Sequence, residues 1–367
     1  MRIFLIVVIL SICSGCFIAN DVIPDQQTWI YGQPSEVGLR EESLLSLNTA
    51  ISQGYYGNVF SVCVIKNNLM VFENYYDYYK REDLINIGNA SYGITCLALD
   101  FFIQRGLIND LDQPIHELLP DYEDIFEADT LKKQITIQHL LDYTSGLVWD
   151  EGLYPVANKN DFDTMRVSSD WVRFVLSQQM ESIPGRRSSL HSGVGIILMK
   201  IYQNLINEPL IQFLDNELFQ KMGIENYQWE SDPNGILNGG DGLSLTTLDY
   251  TKFGYLFLLE GRWTKNERII SRDWIFELSE YDDSFRPEIG LGAGWWRYDS
   301  DYLRSYSSIS TRMISIHGTG GKAVYVVPDE NMIVTIMAQN PEYGQATYNP
   351  SLSILTRSLY ALNSIPF

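Results

Sequence analysis

Asn89-Ala90-Ser91-Tyr92-Gly93-Ile94-Thr95-Cys96-Leu97-Ala98-Leu99-Asp100-Phe101-Phe102-Ile103-Gln104-Arg105-Gly106-Leu107 is the stretch on which the fold turns. From Ala90 onward it is an apolar run of helical length, and Gly106 is a helix terminator because glycine accepts the left-handed conformation that ends a helix. Asn89 stands just ahead of the run, where an Asn side chain is among the best acceptors for first-turn amides, so it is expected to cap the helix. Beyond Gly106 come Leu111-Asp112-Gln113-Pro114-Ile115 and Leu118-Leu119-Pro120, two further punctuated segments.

Helix, terminal Gly, Asp-Pro turn and Leu-Pro together resemble the class C β-lactamases, related esterases and 6-aminohexanoate-dimer hydrolases. Two more stretches carry the same resemblance in the same order. Ile135-Thr136-Ile137-Gln138-His139-Leu140-Leu141-Asp142-Tyr143-Thr144-Ser145-Gly146-Leu147, followed by Trp149-Asp150-Glu151, matches that family's HLLxxTSGL segment. Gly239-Gly240-Asp241-Gly242-Leu243-Ser244-Leu245-Thr246, Asp249, Lys252-Phe253-Gly254 and Gly261-Arg262-Trp263 match its GGxGLxxTxxDxxKFG segment.

The resemblance implies a Ser-x-x-Lys pair, and counting back from Gly106 puts the nucleophile at Asn89 and its lysine at Tyr92. In that pair the two side chains lie one turn apart on one helix face, so the amine takes the hydroxyl proton while the helix N-terminus favours the oxyanion. An Asn amide is neither nucleophile nor acid at neutral pH. A phenol of ordinary pKa, about 10, acts as a base only beside a cation. The second family element, a Tyr-x-Asn after Pro-Gly, reads Leu190-His191-Ser192 after Pro184-Gly185, so Leu190 replaces the proton-relaying Tyr and Ser192 the substrate-binding Asn. The third reads His317-Gly318-Thr319-Gly320-Gly321-Lys322, similar to the HGHGGQ variant of the esterase-like members, and makes His317 the family-equivalent position and Thr319, Gly320 and Gly321 the expected ligand contacts. Ser91 is a displaced nucleophile candidate, but two residues along a helix turn a side chain by roughly 200°, and it lacks a base unless His191 or His317 reaches it.

Phe60–Ile65, Lys66-Asn67-Asn68 and Leu69–Tyr75 read as strand, turn, strand, and Ala323–Val327, Pro328–Asn331 and Met332–Met337 repeat the pattern. Between them apolar residues recur at helical spacing, as in Leu210, Ile211, Leu214 and Leu218, or across Tyr250 to Leu259. The expected fold is therefore α+β and β-lactamase/transpeptidase-like: an antiparallel sheet from both chain ends flanked by helices (about 17–80 and 285–367), with a helical lobe (about 81–284).

Met1-Arg2, the apolar run from Ile3 to Ile12 and Cys13-Ser14-Gly15-Cys16 read as a secretory signal ending in a lipobox, with Cys16 as the lipidated residue and residues 17–367 as the mature domain. This implies a bacterial envelope protein, lipid-anchored or periplasmic/extracellular, held by its lipid. With 46 acidic against 26 basic residues the net charge is −20, which disfavours nucleic acid and anionic lipid as partners. Cys63 and Cys96 read as small core residues, and His116, His139, His191 and His317 are scattered, so neither a metal site nor another cofactor is expected. The function expected is that of a catalytically impaired hydrolase homologue whose cleft serves a small amide, ester or peptide ligand. The alternatives are an ester or amide hydrolase with a rearranged serine, and an envelope scaffold without ligand. Oligomeric state is not legible.

Overall fold

A computed structural model describes residues 29–151, 160–279, 289–302, 304, 310–340 and 350–362. The signal, lipobox and Cys16 readings lie outside the described residues.

Both chain ends supply one eight-stranded sheet. Its strands are β1 (Ile30–Tyr31), β2 (Val59–Lys66) and β3 (Leu69–Tyr75) from the first part, and β9 (Ile289–Gly292), β10 (Trp295–Tyr298), β11 (Met313–Gly318), β12 (Lys322–Val327) and β13 (Met332–Ala338) from the last. They lie in the order β1-β3-β2-β13-β12-β11-β10-β9, antiparallel throughout except that β1 runs parallel to β3. The turns are where the Asn residues placed them: Asn67 and Asn68 join β2 to β3 and Asn331 leads into β13, all at positive φ, which Asn tolerates better than other side-chain-bearing residues.

Alternation along these strands feeds two cores. Cys63 and Ile65 of β2, Val324 and Val326 of β12 and Ile333 of β13 face one side, and Val62, Val64, Ala323, Tyr325, Val327 and Val334 face the other. Helix α1 (Glu41–Ser52), through Leu44, Leu47 and Ile51, and the C-terminal helix (Pro350–Tyr360), through Ile354, Leu355 and Leu359, cover the second side.

On the first side lies α2 (Ala90–Gln104), buried almost all round, as its near-continuous apolar sequence requires. It is preceded by the short β4 (Ile85–Asn86), which pairs with β6 (Leu243–Leu245), itself paired with β5 (Gln228–Trp229), while β7 (Arg262–Thr264) and β8 (Glu267–Arg268) pair with each other. The helical lobe adds α3 (Glu123–Ala128), α4 (Ile137–Leu141), α5 (Asp161–Arg166), α6 (Trp171–Leu176), α7 (Gly193–Leu205) and α8 (Leu210–Leu214). Helix α9 (Thr247–Leu258), capped by the Thr246 hydroxyl accepting from Asp249 N–H, returns the chain to the sheet through Tyr250, Phe253 and Phe257. Phe253 is fully buried, and truncating it to Ala would cost about 3–5 kcal/mol. Cys63 and Cys96 are buried free thiols.

Candidate active site

Helix α2 begins where Gly88 meets the end of β11. A Cβ on Gly318 would overlap the Ile87 carbonyl oxygen, and one on Gly88 would lie 2.7 Å from Thr319 Oγ1, so only backbone fits at this junction and Thr319 is brought to the helix start. Asn89 occupies the position before Ala90, but the expected cap does not form. Its φ and ψ of −59° and −12° are helical, whereas capping needs an extended residue to aim the side chain at the N2 and N3 amides. Asn89 Oδ1 is buried and takes no hydrogen bond among the described residues.

Ser91 is fully buried. Its Oγ donates to Gly88 O at 2.8 Å and accepts from Leu243 N–H at 3.1 Å, which ties α2 to β6. Tyr92 is buried too. Its hydroxyl donates to Leu140 O at 2.7 Å, its ring lies 4.7 Å from that of Tyr143, and burial pushes its phenol well above the ordinary range. Neither side chain has the environment of a nucleophile or a base.

The second motif stands at the start of α7. Leu190 is 45 % exposed, whereas His191 is buried and stacked on Trp149, ring centroids 4.5 Å apart. Burial holds the His191 imidazole down to about 3, so it is neutral, and neither ring nitrogen has a partner among the described residues. Ser192 is 4 % exposed with Oγ unpartnered among those residues, and its N–H donates to Glu151 Oε1 at 2.8 Å. The same oxygen accepts from Trp149 Nε1 at 2.7 Å.

His317 lies on the other face of the sheet. Ile316 and Gly318 point toward α2, so by alternation Ser315 and His317 point away. The imidazole shares a 2.6 Å hydrogen bond with Ser315 Oγ among Trp296, Tyr298 and Tyr325, and burial holds it down to about 4. It is therefore not a base for Ser91. Of the expected ligand contacts, Thr319 faces the α2 start, while Gly320 and Gly321 take positive φ and form the turn into β12.

Three charged residues that the motifs left without a role converge here. A Cβ on Gly240 would overlap the Ser192 carbonyl oxygen, so the backbone before Asp241 packs on the start of α7 beside Glu151. Asp241 is pinned by its N–H to Asn238 Oδ1 (3.1 Å) and by its carbonyl to Asn86 Nδ2 (3.2 Å). Burial, then the negative charge of Glu151, push its carboxyl up to about 7, against the opposing pull of Lys322. Lys322 Nζ donates to Thr319 O and to Gln339 Oε1. The acidic residue inside Gly239-Gly240-Asp241-Gly242 was the available sequence sign, but nothing local ties it to residues 151 or 322.

The family model described as Beta-lactamase matches residues 53–354. Solved structures with the same fold include a Bacillus anthracis protein described as a 6-aminohexanoate-dimer hydrolase (TM-score 0.72, 15 % identity, 92 % of this chain and 88 % of that one). They also include the hydrolase EstCE1, which has promiscuous acyltransferase activity (0.67, 15 %, 88 % and 99 %). A penicillin-binding protein homologue from Caulobacter crescentus is a third (0.62, 11 %, 89 % and 99 %). At these identities the likeness is one of fold. Among curated proteins, the acyltransferase calJ of Penicillium decumbens is 38 % identical over 78 residues, a match spanning 18 % of this chain and 18 % of that protein.

Proposed function

The chain belongs to the beta-lactamase family, and we propose that it is a secreted, lipid-anchored member that has lost acyl transfer and keeps its cleft for ligand recognition. The observation that supports this most strongly is the start of α2. The residue in the nucleophile's position is Asn89, one turn on stands a buried phenol already bonded to Leu140 O, and the relay position holds Leu190. Each substitution removes a different part of one catalytic unit, and losses within such a unit are not repaired singly.

Acyl transfer by the relatives, as in calJ and EstCE1, sets the chemistry to test. The rearranged-serine alternative lacks a nucleophile at Ser91, whose hydroxyl is enclosed and doubly bonded, and a base at His317, which faces away. Purified protein mixed with nitrocefin and with p-nitrophenyl acetate should show neither a burst nor turnover above buffer. A stoichiometric burst would overturn the proposal. Lipid attachment at Cys16 and location in the bacterial envelope rest on Met1-Arg2, the apolar run and Ser14-Gly15-Cys16. Among the described residues no helix is long and apolar enough to cross a membrane.

A further inference from the structure

We infer that the open edge of β3 beside α1 is a docking site for an extended basic peptide of another protein, which adds a strand to the sheet there. The groove lies on the α1 side of the sheet rather than the α2 side, and its use does not depend on what the cleft binds.

The edge is open because β1 ends early. Only Ile30 and Tyr31 pair with β3, opposite Leu69 and Met70, and Gly32 N–H then donates to Met70 O at 3.2 Å. Pro34, with no N–H to give a ladder, starts a short 3-10 helix (Pro34–Val37) that takes the chain off the sheet and on to α1. Farther along β3, Tyr76 N–H donates to Phe60 O, and two-residue alternation turns the backbone groups of Phe72 and Asn74 the same way, toward β2. Those of Glu73 and Tyr75 therefore point outward, where no strand pairs with them among the described residues. Unpaired N–H and C=O groups on alternate residues are what an added strand bonds to.

Beside that edge lies a cavity of about 490 Å³, lined by residues 31–34, by β3 from Met70 to Asn74 and by α1. Glu41, Leu44, Leu45 and Asn48, at i, i+3, i+4 and i+7, are the α1 face that lines it. Leu45, 56 % exposed, and Phe72 give it apolar surface for side chains on one face of the incoming strand.

The charge of the occupant follows from the two carboxylates in the wall. Glu73 is engaged, accepting from the Tyr31 and Tyr75 hydroxyls at 2.5 and 2.9 Å and pairing with Arg81 at 3.2 Å. Glu41 has no ion pair among the described residues, so it is the charge that a Lys or Arg of the peptide answers. A chain of net charge −20 attracts a basic strand and repels a second copy of itself. Ladder hydrogen bonds give such a strand its affinity, and Glu41 with Leu45 its preference for basic and aliphatic side chains on the same face.

The test is a fluorescence-anisotropy titration of the full chain with three dye-labelled peptides: Lys-Thr-Val-Thr-Lys, Glu-Thr-Val-Thr-Glu, and the basic peptide N-methylated at every amide. The basic peptide should bind, more weakly as salt rises. The acidic and the N-methylated peptides should each bind at least about tenfold more weakly, the first for its charge and the second because it cannot donate to the edge. Glu41→Lys and Leu45→Lys should each weaken the basic peptide about threefold or more; both positions are exposed, and an unchanged urea midpoint shows that the fold is kept. Equal binding of the acidic or the N-methylated peptide, no binding of the basic one, or binding unchanged in both variants would overturn the inference. So would self-association of the free chain in sedimentation velocity that Leu45→Lys abolishes, since the occupant would then be a second copy.

Discussion

Replacing Ser91 with Ala distinguishes a structural hydroxyl from a displaced nucleophile. The Ser91 Oγ makes two bonds of unequal consequence. Gly88 O also accepts from Ser91 N–H at 2.9 Å, so it keeps a partner after the change, and that loss costs about 0.5–1.5 kcal/mol. The Leu243 N–H is buried in β6, and orphaning it costs about 1–3 kcal/mol. The sum is about 1.5–4.5 kcal/mol, large against the stability of an ordinary domain of about 5–15 kcal/mol. Equilibrium urea unfolding of wild type and Ser91→Ala should show that difference as a lower midpoint at unchanged slope. A cost below about 0.5 kcal/mol would refute the structural assignment, since no hydroxyl holding a buried strand amide is that dispensable.

Asn89→Ala should change stability by less than about 0.5 kcal/mol, because its side chain does not cap α2; a loss near the typical capping value of about 1 kcal/mol would restore the capping role. Asn89→Ser should gain no acylation by p-nitrophenyl acetate, since Tyr92 and Leu190 remain, and a stopped-flow burst from this single variant would contradict that. Asp241 has a folded-state pKa raised to about 7, so the native state holds a proton that the unfolded state has released between about pH 4 and about 7, and stability falls as pH rises through that window. Wild type should therefore be less stable at pH 8 than at pH 5 by about 1–3 kcal/mol from this group, allowing for its partial exposure. Asp241→Asn should flatten that difference in urea melts at the two pH values. In a bacterial host, wild type should partition into detergent and Cys16→Ala into the aqueous phase; identical partitioning would rule out lipid at Cys16.

Much of the sheet was legible because its signals are local. The Val-, Ile- and Phe-rich runs of β2 and β3 flank an Asn pair, those of β12 and β13 flank a Pro-to-Asn turn, and each turn adopts the positive φ that Asn tolerates. Helix α2 was legible from a near-continuous apolar run closed by Gly106. What the sequence withheld depends on direction and on distant juxtaposition. Asn89 has the right residue type and position for a cap, but its backbone is helical rather than extended and its side chain makes no capping bond. His317 sits in a glycine-rich motif, yet strand alternation carries it behind the sheet. Asp241, Glu151 and Lys322 lie on three separate segments, and nothing periodic in the sequence signals that Glu151 and Lys322 act on the Asp241 carboxyl.

An activated serine would be labelled by a fluorophosphonate, and intact-protein mass spectrometry after incubation with that reagent measures whether one is present. The mature chain should keep its mass under conditions that label an active serine hydrolase to completion, because Asn89 supplies no hydroxyl and Ser91 is enclosed. A single adduct mapped by peptide sequencing to Ser91 or to any other serine, and lost when that residue becomes Ala, would contradict it.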